Sequence, residues 1–299
     1  MARAQAGELP TTNPPLVTIV IPTHDDDPLH LGEALGSALA QTHPRLEVVV
    51  VDDGSSRPET VSALDDLTTV PVLRQVNRGP SAARNAGIAT GTGDIIICLD
   101  ADDVLSPTYA AEAAALLSAD DVCRAAYPRV DPFGDIPWPA WPTRGPLELA
   151  AFAQRSAIPV SSAFRRMDWQ LVGGWDEHLR VGMEDHEWWV RLLGSRGGHA
   201  LPMPTATLHY RVRAESRSRQ RPYADDLAVT RQHILDNNGS ETIRELLVGA
   251  WMATDSAEAE AARAWSDRWQ LRRWTAAAQR RIERVVGAGQ QGGPPSALG

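Results

Sequence analysis

The chain has no lysine, so every one of its 29 basic residues is an arginine. A Schiff base, a P-loop lysine and a lysine general base are therefore excluded, and phosphate recognition falls to arginine, backbone N–H groups or a metal ion. Cysteine is scarce as well. Cys98 and Cys123 are the only two and both sit in apolar runs, the pattern of buried thiols in a reducing compartment and not of a disulfide framework. No apolar run approaches the length of a membrane span. The G-x-G-x-x-G and G-x-x-x-x-G-K-[ST] patterns are missing after the first apolar segment, which disfavours a standard dinucleotide fold, a P-loop enzyme and a sugar nucleotidyltransferase. An excess of positive charge is also lacking: the net charge is -9 and the pI about 5.4, against nucleic acid as the main partner.

What is present supports a core. Hydrophobic residues make up 43% of 299 positions, enough for one large domain or a domain with an appendage. Met1 to Pro15 is polar, with no apolar centre of a signal or transit peptide, and is expected to be disordered. A soluble, cytoplasmic protein is expected.

The most informative stretch is Gly93 to Asp103. Ile95, Ile96, Ile97, Cys98 and Leu99 read as a strand buried on both faces, and Asp100, Asp102 and Asp103 fall where it ends. Clustered carboxylates at a sheet edge are costly unless neutralised. A hard divalent cation, itself able to hold a diphosphate, would do that. A turn followed by a helix start accounts for the same residues equally well.

The neighbouring segments tip the balance toward a metal and nucleotide site. Val17 to Ile21 is a strand ended by Pro22-Thr23, with His24-Asp25-Asp26-Asp27 after it; Leu46 to Val51 is a strand ended by Asp52-Asp53-Gly54. Helical spacing at Leu31, Leu35 and Leu39 lies between them. Val72 to Val76 is a third strand, and Pro80 opens a small-residue helix that carries Arg84-Asn85-Ala86-Gly87. Alternating strands and helices over the first 130 residues predict a doubly wound, mainly parallel α/β sheet, whose ligands bind beyond the carboxyl ends of the strands. Acids recur at successive strand ends there.

Further on, Pro128 to Pro146 reads as a proline-rich loop bearing Trp138 and Trp141, able either to stack on a sugar or to pack on its own domain. Pro159 to Phe164 reads as a strand. Glu184 and Asp185 open a helix with two apolar rows, Trp188 with Leu192 and Trp189 with Leu193. The helix dipole alone favours acids there, but a carboxylate so placed is also a rigid base. Thr205 to Val212 is a strand carrying His209-Tyr210-Arg211, and Arg211, Arg213, Arg217, Arg219 and Arg221 crowd one segment that an anion such as a diphosphate would relieve. From Asp225 the chain reads as helices, with core packing, a homodimer interface or a membrane-surface face as alternative roles for Trp265, Trp269 and Trp274. Gly287 to Gly299 has no packing potential.

In this order and spacing, these pieces resemble a family 2 glycosyltransferase of the GT-A fold, over about Val17 to Ser218. They are Val17 to Thr23, Val50-Val51-Asp52-Asp53-Gly54-Ser55, Asn77-Arg78-Gly79 with Ala83 to Gly87, Leu99 to Asp103, Val172 to Glu177, Glu184-Asp185 and His209-Tyr210-Arg211. The resemblance implies an inverting transfer from a UDP-, dTDP- or GDP-sugar to an acceptor hydroxyl on a saccharide, lipid carrier, peptide or natural product. It implies Thr23, Asp52 and Arg84 around the nucleotide, and Asp100 and Asp102 as a DxD motif for Mn²⁺ or Mg²⁺ with His209 as a further metal or diphosphate contact. Arg211 and Arg213 would clamp the phosphates, and Asp185, next to Glu184, would be the general base. His24-Asp25 departs from the family's usual residues. The implied layout is a disordered 1–15, a GT-A domain over 16–224 (donor half 16–127, acceptor half 128–224), a helical extension over 225–286 and a disordered tail over 287–299. The alternatives are a catalytically silent binding or scaffolding protein on the same fold, or an enzyme peripheral to the inner face of a membrane with a lipid-linked acceptor.

Overall fold

The structure, a computed structural model, describes residues 13–141, 144–213, 222–257 and 260. The expectations for the first twelve residues, for Arg217, Arg219 and Arg221, and for the chain from 261 onward lie outside the described residues.

One eight-stranded sheet organises the fold, in the order β3-β2-β1-β4-β7-β6-β8-β5. Its strands are β1 (Val17–Thr23), β2 (Leu46–Asp52), β3 (Val72–Arg74), β4 (Ile95–Cys98), β5 (Val104–Leu105), β6 (Cys123–Gly134), β7 (Ala163–Arg165) and β8 (His199–Val212). The helices are α1 (Pro28–Leu39), α2 (Pro58–Asp66), α3 (Pro80–Thr90), α4 (Tyr109–Ala119), α5 (Arg166–Val172), α6 (Glu184–Arg196) and α7 (Tyr223–Asn237), followed by α8 over 240–257. β1, β2, β3 and β4 are mutually parallel because α1, α2 and α3 return the chain across the sheet between them. The second half is mixed: β7 runs antiparallel to β4 and β6, and β8 runs parallel to β6 but antiparallel to β5. This is the GT-A arrangement.

The period-two alternation of the buried strands sorts them onto two cores. Val17, Ile19, Ile21, Val48 and Val50 face α1 and α4, and Val20, Val49, Val51, Ile96 and Cys98 face α3 and α6. Thr18, fully buried, breaks the apolar row and is satisfied: its hydroxyl donates to Glu47 at 2.6 Å and accepts from the Gly93 N–H at 2.9 Å. On the α6 side, Phe164, Trp175, Trp188 and Trp189 form an aromatic knot, with Trp175 stacked on Trp188 at 5.1 Å. This knot seats the two apolar rows of α6 on the sheet and so sets where the helix begins.

Three elements differ from the sequence pattern. β6 continues to Gly134 through two prolines expected in a loop; its pairing with β8 shifts register between Tyr127 and Arg129, which absorbs Pro128. The strand expected over 159–164 is confined to Ala163–Arg165, since Ser162 turns back to hydrogen-bond the Pro159 carbonyl through both its N–H and its hydroxyl. β5, two residues long, is too short to show a period. The chain divides into compact units at 1–247 and 248–299. Within the first unit, Ile234 of α7 joins the second core and the Thr230 side chain is buried. Among the described residues, no helix is long and apolar enough to cross a membrane.

Gly87 explains the small-residue composition of α3. A Cβ there would run into the Val20 and Val51 side chains, so the helix can lie on the sheet only if this residue is glycine. Gly87→Ala should destabilise the fold by about 1–3 kcal/mol through overpacking, measured by urea unfolding.

Candidate functional site

β1, β2 and β4 end at one edge of the sheet, and their loops build the site. Thr23 and Asp52, the last residues of β1 and β2, are paired in register. Asp25 takes a left-handed conformation (φ 54°), which Asp tolerates, and accepts from the Ser56 and Arg57 N–H groups at 2.6 and 2.7 Å. These bonds, led by that from Arg57, hold its carboxyl below the usual range and lock the first two loops together. Asp52 accepts from the Ser55 N–H at 2.8 Å. Asp53 accepts from the N–H groups of Arg78 and Gly79, each at 2.8 Å, and so shapes the entry to α3. Asp52 was the expected site residue of the pair; Asp53, for which no role was expected, builds the loop into α3.

A cluster of carboxylates lies beside these loops. Asp26 accepts from the Thr23 hydroxyl at 3.0 Å and the His24 N–H at 3.1 Å, yet burial raises its pKa. Burial and the charges of Asp100 and Asp26 push Asp102 up to about 6, although the Arg213 guanidinium sits 2.7 Å from its Oδ2. Asp103 is buried. It is pushed well above the carboxylate range by burial and by Asp102 and Asp100, and it accepts from the Arg211 N–H at 2.8 Å. Asp26 was not foreseen as a site residue; the run Asp25-Asp26-Asp27 after a strand was its only signal.

Arg84 links this cluster to the far side of the cleft. Its guanidinium donates to Asp100 at 2.8 Å and to Glu184 at 2.9 Å, and lies over the Trp175 ring at 5.1 Å. Burial works against its charge, but the two carboxylates outweigh that and raise its pKa. It was expected beside the nucleotide; in the structure it is buried and bridges Asp100 and Glu184 as a strut. Glu184 and Asp185 form the first turn of α6, after Gly182 and Met183, both at positive φ (117° and 55°). Asp185 accepts from the His186 N–H at 2.9 Å. It is pushed up to about 6 by burial and by Glu184, with Ser156 and Arg84 acting in the opposite direction. His186, buried next to it, donates from Nε2 to the Phe152 carbonyl at 2.7 Å, and burial lowers its pKa.

β8 and the residue after it, Arg213, supply the remaining wall. Arg213 reaches Asp102 and lies 4.0 Å from Asp26. Arg211 does not turn into the cleft. Its Nε donates to the Asp102 carbonyl at 2.8 Å, Nη2 pairs with Glu33 on α1, and the guanidinium lies 4.4 Å over Phe133. His209 likewise faces away from the carboxylate cluster: it sits 3.5 Å from Asp131 and lines a shallow apolar groove with Val104, Leu105 and Phe133. The residue between them, Tyr210, faces the site. Its pKa is raised by burial and by Asp103, Asp100, Asp102 and Asp185, so its hydroxyl lies in the field of both acid groups. Trp141 packs on its ring at 6.3 Å. Trp138 is exposed.

The donor set suits a hard divalent cation in one respect. Asp100 and Asp102 offer carboxylate oxygens in a cluster whose repulsion a cation would relieve. Among the described residues no group of three or more His, Cys, Asp or Glu side chains forms a closed metal cage.

Residues 18–170, more than half of the chain, match the family described as glycosyl transferase family 2. The chain belongs to that family. It is 36% identical over 99 residues to the succinoglycan biosynthesis protein ExoW of Rhizobium meliloti (31% of each chain), and 41% identical over 95 residues to ExoO of the same organism (31% of this chain, 27% of ExoO). An uncharacterized glycosyltransferase of Nostoc is 40% identical over 82 residues, 26% of each chain. The chain thus spans under a third of the length of these relatives. In fold it is similar to S. aureus TarS residues 1-349, with a TM-score of 0.59 at 17% identity over 78% of this chain and 70% of that one. Against the TarS structure in complex with UDP-GlcNAc the TM-score is 0.61 at 18% identity, over 74% and 66%.

In this family 2 member Arg84 balances two carboxylates from opposite sides of the cleft. Arg84→Met, which takes the shared guanidinium away from both, should cost about 3–5 kcal/mol in denaturant unfolding. Arg84→Lys should recover only part of it, since an ammonium cannot fork to both partners.

Proposed function

We propose that the chain is an inverting glycosyltransferase that moves a sugar from a nucleoside-diphosphate donor (UDP, dTDP or GDP) to an acceptor hydroxyl, with Asp185 as general base. The observation that carries this reading is the pairing of two acid groups through one strut. Asp185 opens α6 next to Glu184, and Arg84 joins Glu184 to Asp100. A carboxylate raised to about 6 is a stronger base than an ordinary Asp and is still ionised near neutral pH. The UDP-GlcNAc complex of the structural neighbour supports a nucleotide-sugar donor.

In this reading Thr23 and Asp52 border the nucleotide at the ends of β1 and β2. Asp102 and Asp100 would hold Mn²⁺ or Mg²⁺, which when bound would supply positive charge to stabilise the leaving diphosphate. Arg213 leaves Asp102 for a phosphate oxygen, adding a second cation at the same place. Asp185 accepts the proton of the acceptor hydroxyl as that oxygen attacks the anomeric carbon from the face opposite the diphosphate. The glycosidic bond forms as the bond to the diphosphate breaks. One displacement inverts the anomeric centre, so no protein nucleophile is needed. Glu184 acts through Arg84 and does not exchange the proton. His209 and Arg211 have no part in this scheme, because their side chains are engaged on the α1 side of β8.

Thermal-shift screening of nucleotide sugars with Mn²⁺ identifies the donor, and transfer or slow hydrolysis of that donor tests the reaction. Asp185→Asn should lower transfer by about 10²–10⁴-fold while leaving donor binding nearly intact; wild-type rates in that variant would remove Asp185 from the mechanism. Because its folded-state pKa is raised from 3.8 to about 6, Asp185 favours the folded state below its unfolded value and loses that contribution as pH rises through 6. Asp185→Asn should therefore raise the melting temperature at pH 8 but not at pH 4, and transfer by the native protein should fall as pH drops below 6. Asp102→Ala should instead weaken Mn²⁺-dependent donor binding, read by calorimetry, with little loss of metal-independent nucleotide affinity.

A further inference from the structure

The backbone just before Glu184 and Asp185 is held in an unfavourable shape. Gly182 and Met183 both have positive φ (117° and 55°), and a left-handed backbone at a residue with a side chain persists only where the surroundings impose it. Met183 is the N-cap of α6 and has no side-chain oxygen to accept from the first turn, so the cap itself does not fix where the helix starts.

The loop over 176–183 is gripped by two helices instead. Toward α3, the Trp175 N–H donates to Asn85 Oδ1 at 2.9 Å, and Glu177 accepts from the Asn85 amide at 3.0 Å and pairs with Arg78. Toward α7, Asp176 accepts from His233 Nδ1 at 2.7 Å and from the Asn237 amide at 3.0 Å. His233 and Asn237 are four apart and so share one face of α7. Asn237 also donates to Glu187, in the first turn of α6, at 3.0 Å. Arg231 donates to the Gln154 carbonyl at 3.2 Å, in the segment whose Phe152 carbonyl meets His186 and whose Ser156 meets Asp185. α7 therefore holds both segments that border Asp185. Ile234 supplies the apolar contact of this helix with the second core; the polar contacts set direction, which apolar packing alone does not.

We propose that His233 is a positioning residue for Asp185. Through Asp176 it holds the 176–183 loop, and with it the direction in which the Asp185 carboxylate leaves α6. The proposal rests on the reading of Asp185 as the general base.

The test compares the wild-type full chain with His233→Ala and His233→Asn. The asparagine amide places an N–H near the lost Nδ1–H, so it should rescue. Amide hydrogen exchange without ligand should rise roughly tenfold or more over 177–187 in His233→Ala, with β1 to β4 unchanged and His233→Asn near wild type. Hydrolysis of UDP-GlcNAc, UDP-glucose, dTDP-glucose and GDP-glucose with Mn²⁺ is the kinetic probe. For the donor that is turned over, kcat should fall about 10- to 100-fold in His233→Ala with KM unchanged, and His233→Asn should recover most of it. Unchanged exchange over 177–187 overturns the proposal. A rise in exchange spread over the whole sheet, with a matching fall in melting temperature, makes His233 a stability contact only and also overturns it. So does wild-type kcat in His233→Ala when Asp185→Asn is impaired. Wild-type kcat in Asp185→Asn removes instead the reading of Asp185 as base, and this proposal with it.

Discussion

Arg84 is the charge on which the cleft depends. It is buried under the sheet edge, and it meets Asp100 sixteen positions later and Glu184 a hundred positions later. One side of that fork fixes the loop after β4; the other fixes the start of α6, and with it Asp185. A buried cation is costly alone and two unpaired carboxylates are costly as well, so each holds the others in place. The Trp175 face beneath the guanidinium belongs to the aromatic knot that seats α6, which ties the electrostatics to the packing.

The acids around this strut are not relaxed. Asp26, Asp102, Asp103 and Asp185 all have raised pKa values, caused by burial and by one another. A fold selected for stability alone would not concentrate such groups at one edge. A bound cation would relieve the first three, and a proton from an acceptor would relieve the fourth. Arg213, pairing with Asp102, offsets part of this repulsion.

β8 shows how one strand serves two purposes. Its alternation sends His209 and Arg211 to the α1 side, where Asp131 and Glu33 receive them, and Tyr210 to the carboxylates. A motif read as three adjacent residues thus divides across the sheet. Arg211 still serves the site from behind, through its backbone N–H on Asp103 and its Nε on the Asp102 carbonyl, both of which hold the loop that carries the acids.

Much of the fold was legible in sequence because local patterns encode it. Continuous β-branched runs marked the buried parallel strands, four-residue spacing marked α1 and the two apolar rows of α6, and acids at strand ends marked the functional edge. β5, the shortened β7 and the prolonged β6 were not legible, because their pairing partners lie far along the chain and their own residues carry no period. The same division holds at the site. Residue type and order drew attention to Asp100, Asp102 and Asp185, and the resemblance to family 2 supplied the roles expected of them. Tertiary structure alone decided that Arg84 is a strut, that Asp53 builds a loop while Asp26 joins the acids, and that Tyr210 and not His209 faces them. Those outcomes depend on which side of a strand a side chain leaves and on which distant charge it meets, and neither is set until the sheet has closed.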